Sequence, residues 1–183
     1  LIENWGKAKN KLNTSKGLLI CAADPMSLSV LKSPGECGAD IYVGEGQSIG
    51  NYMNYGGPLL GLMAIKGIYK RRMPGRIIGK TIDYNNKTGY VLTLQTREQH
   101  IRRAKATSNI CTNQGLLALR ATLYLSLMGK QGLPYIVRLC YQKARYAANK
   151  ISNLNNFSLL YKHAFIKEFV IKTESPASEV IQH

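Results

Sequence analysis

Apolar residues come in short runs in the first half of the chain and in a helical rhythm in the second. Gly17–Ala23, GLLICAA, is an unbroken apolar run after a glycine, the pattern of a strand covered on both faces in a parallel α/β sheet. Ile41–Val43 predicts a second short strand, and the apolar run after the glycine cluster of Asn54–Leu62 reaches Ile65. Arg76–Asp83 and Tyr90–Gln95 flank a polar loop closed by Gly89, which predicts a hairpin over 76–95. From Thr112 the spacing of Leu116, Leu119, Leu123 and Leu127 predicts a long helix over 112–128, with Thr112 or Asn113 as its cap and Gly129 just past its end. A second helix is expected from about Leu133 to Ile151, then a loop over Asn153–Ser158. Phe165–Thr173, FIKEFVIKT, alternates as a strand, and Ser175-Pro176-Ala177-Ser178 caps the start of a last helix. Glu3–Lys11 reads as the end of a helix.

Three places break this apolar framework with polar chemistry. Asp24-Pro25 follows the first strand. An acidic residue at the carboxyl end of a buried strand stands where open α/β sheets hold ligand groups. It is equally the N-cap of a helix with Pro25 at its first position. Gly44–Gly50, GEGQSIG, is a glycine-rich loop that matches neither the dinucleotide nor the P-loop spacing. Gln95–Gln114, QTREQHIRRAKATSNICTNQ, gathers cations, hydroxyls and amides into a polar surface suited to an anion, leading into the long helix. The plainer reading of that stretch is a helix cap preceded by a solvated basic loop.

Composition narrows the class. The 183 residues are 45% hydrophobic and 19% charged, an ordinary globular balance. No run approaches the roughly 20 apolar residues that cross a bilayer. The net charge of +15 raises nucleic acid as a partner. The lysines are scattered instead of striped along one face, so neither nucleic acid nor membrane is expected. Cys21, Cys37, Cys111 and Cys140 form no CxxC pair, and His100, His163 and His183 lie far from them in sequence. That disfavours a compact zinc site and fits a reducing, cytoplasmic setting. The opening residues lack Met and any leader pattern, and the last predicted helix stops after a turn. The chain is therefore expected to be a piece of a longer protein, truncated at both ends and poorly soluble alone.

Four stretches carry a family resemblance: DPMSLSVLKSPGECGADIYVGEGQ, NYGGPLLGLMA, MPGRIIGKTID and GYVLTLQTREQHIRRAKATSNICTNQ. They resemble the alpha subunit of decarboxylating glycine dehydrogenase, the P-protein of the glycine cleavage system. The resemblance implies a fold-type I pyridoxal-phosphate fold of class α/β. Residues 1–129 would be the later part of the large domain and 130–183 the start of a small α+β domain. It implies an α2β2 assembly with a beta subunit that holds pyridoxal phosphate on a lysine. The assembly would decarboxylate glycine and pass the aminomethyl group to the lipoyl arm of the H-protein. Gln47 or Ser48 falls where the partner has its lysine, and neither supplies an amine for a Schiff base. Lys66 and Lys80 are expected at the surface. Asp24 matches the aspartate that pairs with the cofactor's ring nitrogen in active relatives. Thr107, Ser108 and Asn109 match a segment that meets the cofactor phosphate in the partner's site. Arg97, His100, Arg102 and Arg103 would line the shared mouth or form interface ion pairs, with His100 a proton shuttle or a structural residue. A basic module that binds nucleic acid or another anion, and a fragment that does not assemble, are the alternatives.

Overall fold

The computed structural model describes residues 2–12, 15–73, 75–94, 98–106 and 114–182. Helix α1, Trp5–Leu12, begins inside the chain, where the Asn4 side chain accepts the Lys7 amide at 2.9 Å. The expected tail end of a helix is instead a short helix with its own cap.

Three strands form the central sheet. β1 (Ile20–Ala22) pairs in parallel with β2 (Ile41–Glu45), and β3 (Gly61–Ile65) joins β2 antiparallel, giving the order β1-β2-β3. The expectation of a strand covered on both faces fails for β1. Cys21 is buried, but Ile20 is 58% exposed and Ala22 is exposed as well. β1 is an edge strand, and within the described residues only one of its faces is covered. The next two strands, β4 (Ile77–Ile82) and β5 (Thr88–Thr93), form a separate antiparallel hairpin at the place the polar loop marked.

A short helix α2, Gln99–Arg102, precedes the long helix α3, Gly115–Ser152. Gly129 interrupts α3 with φ 61° and ψ −168°, a conformation open to essentially no other residue. The two helical patterns in the sequence therefore meet end to end at a break, and the second takes up its turns earlier than Leu133. β6 (Phe157–Leu159) and β7 (Ile171–Thr173) pair antiparallel. Two expectations need correction here. The supposed loop at 153–158 ends in a strand, and of FIKEFVIKT only the last three residues, Ile171–Thr173, form a strand. Phe165, 2% exposed, is drawn onto Ala144 and Ala148 of α3, with Phe169 packed beside it, and this takes the segment out of strand register. The last helix, α4 (Ala177–Ile181), starts at Pro176 without the side-chain cap expected from Ser175 or Ser178.

The main core joins sheet and helix: Met26, Ile49 and Leu60 meet Leu117, Ala121 and Val137 of α3. Gly50 permits that approach. It has φ +93°, and a Cβ there would lie 2.5 Å from the Tyr124 Cβ. The Asn51 amide then donates to the Gly46 carbonyl at 3.1 Å and to the Leu117 carbonyl at 3.4 Å, fastening the loop to α3.

At the amino-terminal end of β2 sits Asp40, 4% exposed. Lys9 of α1 donates to its Oδ2 at 2.8 Å, Lys66 after β3 to its Oδ1 at 2.7 Å, and the Leu19 amide to Oδ2 at 2.9 Å. Lys66 is therefore not the simple surface residue the sequence suggested. These bonds from Lys66, Lys9 and Leu19 hold the Asp40 carboxyl far below the usual range.

Candidate functional site

The carboxyl ends of β1 and β2 point at one place. After β1 the chain turns at Asp24 into a single 3-10 turn, Pro25–Ser29. Asp24 is its N-cap, accepting the Met26 amide at 3.2 Å with Pro25 at the first turn position. After β2 a second turn, Gly46–Ser48, is capped by Glu45, which accepts the Gln47 amide at 2.9 Å and the Leu60 amide at 3.1 Å. The two turns are cross-linked by side chains: the Ser48 hydroxyl donates to Asp24 Oδ1 at 2.5 Å.

A third element closes the arrangement. Lys167, in the irregular stretch after Phe165, reaches Asp24 Oδ2 at 2.6 Å. Its aim is set by its neighbours, with Phe165 seated on α3 and Ile166 packed against the main core. Partial burial would raise the Asp24 carboxyl, but the bonds from Lys167, Ser48 and Met26 outweigh it and hold the carboxyl below its usual value. Burial and the Asp24 charge push the nearby Tyr42 phenol up. Its hydroxyl donates to the Ala23 carbonyl at 3.0 Å.

Cavities lie on both sides of this ion pair. One, about 450 Å³, is bounded by Trp5, Ala23, Leu31 and Cys37 with Glu3 and Lys32 at its rim. The other, about 490 Å³, is bounded by Val43, Gly44, Gln47 and Ser48. Asp24, Lys167 and Glu168 line both.

The residues here do not fit a covalently held pyridoxal phosphate. Gln47 and Ser48 offer an amide and a hydroxyl, and that hydroxyl is already given to Asp24. Of the two lysines that line the cavities, Lys167 is engaged by the same carboxylate.

The other residues singled out from sequence fall into two groups. Arg97, Thr107, Ser108 and Asn109 lie outside the described residues, as do Thr112 and Asn113. His100, Arg102 and Arg103 are described and exposed, on and just after α2. Glu98 gathers this neighbourhood: Arg76 of the hairpin base donates to it at 2.9 and 3.0 Å, and His100 Nδ1 stands 3.3 Å away. Arg103 takes φ 52°, which turns the chain sharply after α2. His100, Arg102 and Arg103 are not among the residues that line the cavities around Asp24. Sequence reasoning missed Lys167 and Asp40 altogether. The one available signal for Lys167 was a lysine in a hydrophobic run, FIKEF, that also offers Phe165 and Phe169 as anchors.

Comparison with known proteins gives a consistent picture. Residues 1–183, the whole chain, match the model of the glycine cleavage system P-protein family. The chain is 60% identical over 174 residues to the probable glycine dehydrogenase (decarboxylating) subunit 1 of Desulfitobacterium hafniense, covering 95% of this chain and 39% of that protein. It is 54% identical over 180 residues to the protein of the same description from Desulforamulus reducens, covering 98% and 40%. A crystal structure of glycine decarboxylase (P-protein) in inhibitor-bound form superposes with TM-score 0.91 at 38% identity, over 99% of this chain and 41% of that one. The chain thus spans about 40% of the length of the relatives it matches.

Proposed function

Because the chain belongs to the glycine cleavage system P-protein family, we propose that it is part of the alpha subunit of a glycine dehydrogenase (decarboxylating) and completes an active site whose reactive lysine is on a beta subunit. The observation that carries this is local. At the carboxyl ends of β1 and β2, Gln47 and Ser48 stand where the partner is expected to carry its lysine, and the Lys167 amine is bonded to Asp24. The same reading takes the chain as fold-type I, with 1–129 in the large domain and 130–183 opening a small domain. It takes the assembly as α2β2, with glycine as substrate and the lipoylated H-protein as acceptor of the aminomethyl group. When bound by the partner, pyridoxal phosphate supplies an electron sink for decarboxylation.

The chain's own residues bind and orient. Thr107, Ser108 and Asn109 offer hydroxyls and amides to the phosphate, just ahead of α3, whose amino-terminal end favours an anion. Arg97, His100, Arg102 and Arg103 line the approach or bind across the interface, where cations suit glycine's carboxylate or an acidic carrier. Glu98 and Arg76 fix the local geometry of this run.

Co-purification tests the assembly. A tagged form of this chain is expected to bring down a beta-type chain, and borohydride reduction with cofactor is expected to label that partner alone. A stable adduct on this chain, or no partner recovered, would overturn the reading. A Thr107→Val/Ser108→Ala double change is expected to lower cofactor occupancy of the assembled complex several-fold. Unchanged occupancy would remove the phosphate role.

A further inference from the structure

We propose that Lys167 is a built-in plug: its ammonium fills, from within the chain, a cation-accepting position at the carboxyl ends of β1 and β2, and its removal opens that position to a small organic ammonium. The inference stands on the geometry of this pocket and not on the partner-site reading. Several observations lead to it. The carboxylate at the end of a strand pair in an α/β sheet stands where such sheets take ligands. Here two cavities of about 450 and 490 Å³ share lining residues: Ala22, Ala23, Asp24, Lys167 and Glu168. An ion pair that served only to pin the fold would be sealed, as the Asp40 carboxylate is. Instead the Asp24 side chain keeps 27% of its surface exposed against 5% for Asp40, while the lysines of the two clusters are exposed alike.

Charge points the same way. The chain carries 25 lysines and arginines against 10 acidic residues. The two cavities reverse that balance, with Glu3, Asp24, Glu45 and Glu168 against Lys32 and Lys167. Glu45 spends its oxygens on the Gln47 and Leu60 amides, and of the carboxylates that line both cavities, Asp24 is the one bonded to Lys167. Its acceptor positions are divided among Met26, Ser48 and Lys167. Only the last is a side chain that swings in from a distant segment, so it alone can be taken away without dismantling the turns after β1 and β2. The ligand class follows: a primary ammonium on a short apolar stem, matching the lysine it replaces and the apolar walls from Ala22, Ala23 and Val43.

The test is chemical rescue on the full-length chain with its natural partner present. Lys167→Ala is expected to lower Tm by about 2–4 °C. Propylammonium chloride is expected to restore most of that loss in a saturable way, beyond potassium chloride at equal ionic strength. The wild-type chain and the Asp24→Asn/Lys167→Ala double variant are expected to show no such rise. Absence of amine-dependent recovery in the single variant, or equal recovery in the double variant, overturns the inference. Should Lys167→Ala refold poorly, refolding yield replaces Tm. Recovery by propylammonium supports the plug, and failure of the amine while Lys167→Met refolds normally overturns it.

Discussion

The two ends of the β1–β2 pair each carry an aspartate met by lysine, and the two differ in how far the carboxylate is buried. At the amino-terminal end of β2, Asp40 is sealed and takes Lys9, Lys66 and the Leu19 amide together. It lines none of the cavities around Asp24. At the carboxyl end of β1, Asp24 takes a lysine, a hydroxyl and an amide too, yet stands between two chambers. The chemistry of the two clusters is nearly the same. The burial of the carboxylates and the space around them differ, and it is this difference that the proposal for Lys167 rests on.

The largest expected effect tests the fastening. Asp40→Ala leaves two lysines facing a buried gap and should cost roughly 3 kcal/mol. That is the low end for breaking a buried pair, because both lysines retain some access to water. Denaturant unfolding checks this; a loss no greater than that of Asp24→Ala would erase the distinction drawn above. Asp24→Ala should cost about 1 kcal/mol, the scale of a lost N-cap plus a partly exposed ion pair.

Acid titration sharpens the comparison. Both carboxyls are held below the unfolded value of about 3.9. A depressed folded pKa contributes stability above the unfolded pKa and loses it as pH falls through the folded one. Each alanine variant should therefore converge on wild-type stability as pH drops below about 4. Asp40 is the more strongly depressed, so its variant should converge at lower pH than the Asp24 variant. The reverse order, measured by thermal unfolding against pH, would contradict the geometry. The smallest effect is ionic. Raising salt from 0.1 to 1 M should weaken the Asp24–Lys167 pair by a few tenths of a kcal/mol and the sealed Asp40 cluster less. Double-mutant cycles at the two salt concentrations would read this.

Much of the framework is legible in the sequence because it is local. The hairpin is marked by a polar loop between β-rich runs, and the turn after β1 by Asp24-Pro25, where the cap reading and the ligand reading both describe the same carboxylate. The helical rhythm from Leu116 and its break at Gly129 are equally readable. What escaped depends on partners far along the chain. Asp40 sits in SPGECGAD, a stretch that reads as a turn, and nothing local announces Lys9 and Lys66. Lys167 lies in an alternating run whose period suggests a strand, but the pull of Phe165 onto Ala144 and Ala148 overrides that period. The proposed phosphate role of Thr107, Ser108 and Asn109 rests on resemblance, since spacing alone leaves a helix cap open.

The break at Gly129 has a consequence for anyone altering this molecule. On any scale of helix preference, alanine is the first choice and glycine among the last. At this one position the scale runs backwards: alanine would meet a backbone conformation it scarcely tolerates, at about 1–3 kcal/mol, while the residue least suited to helices is the one that fits. Sequence redesign that smooths α3 for regularity would thus remove the joint on which the turns on either side of it are set.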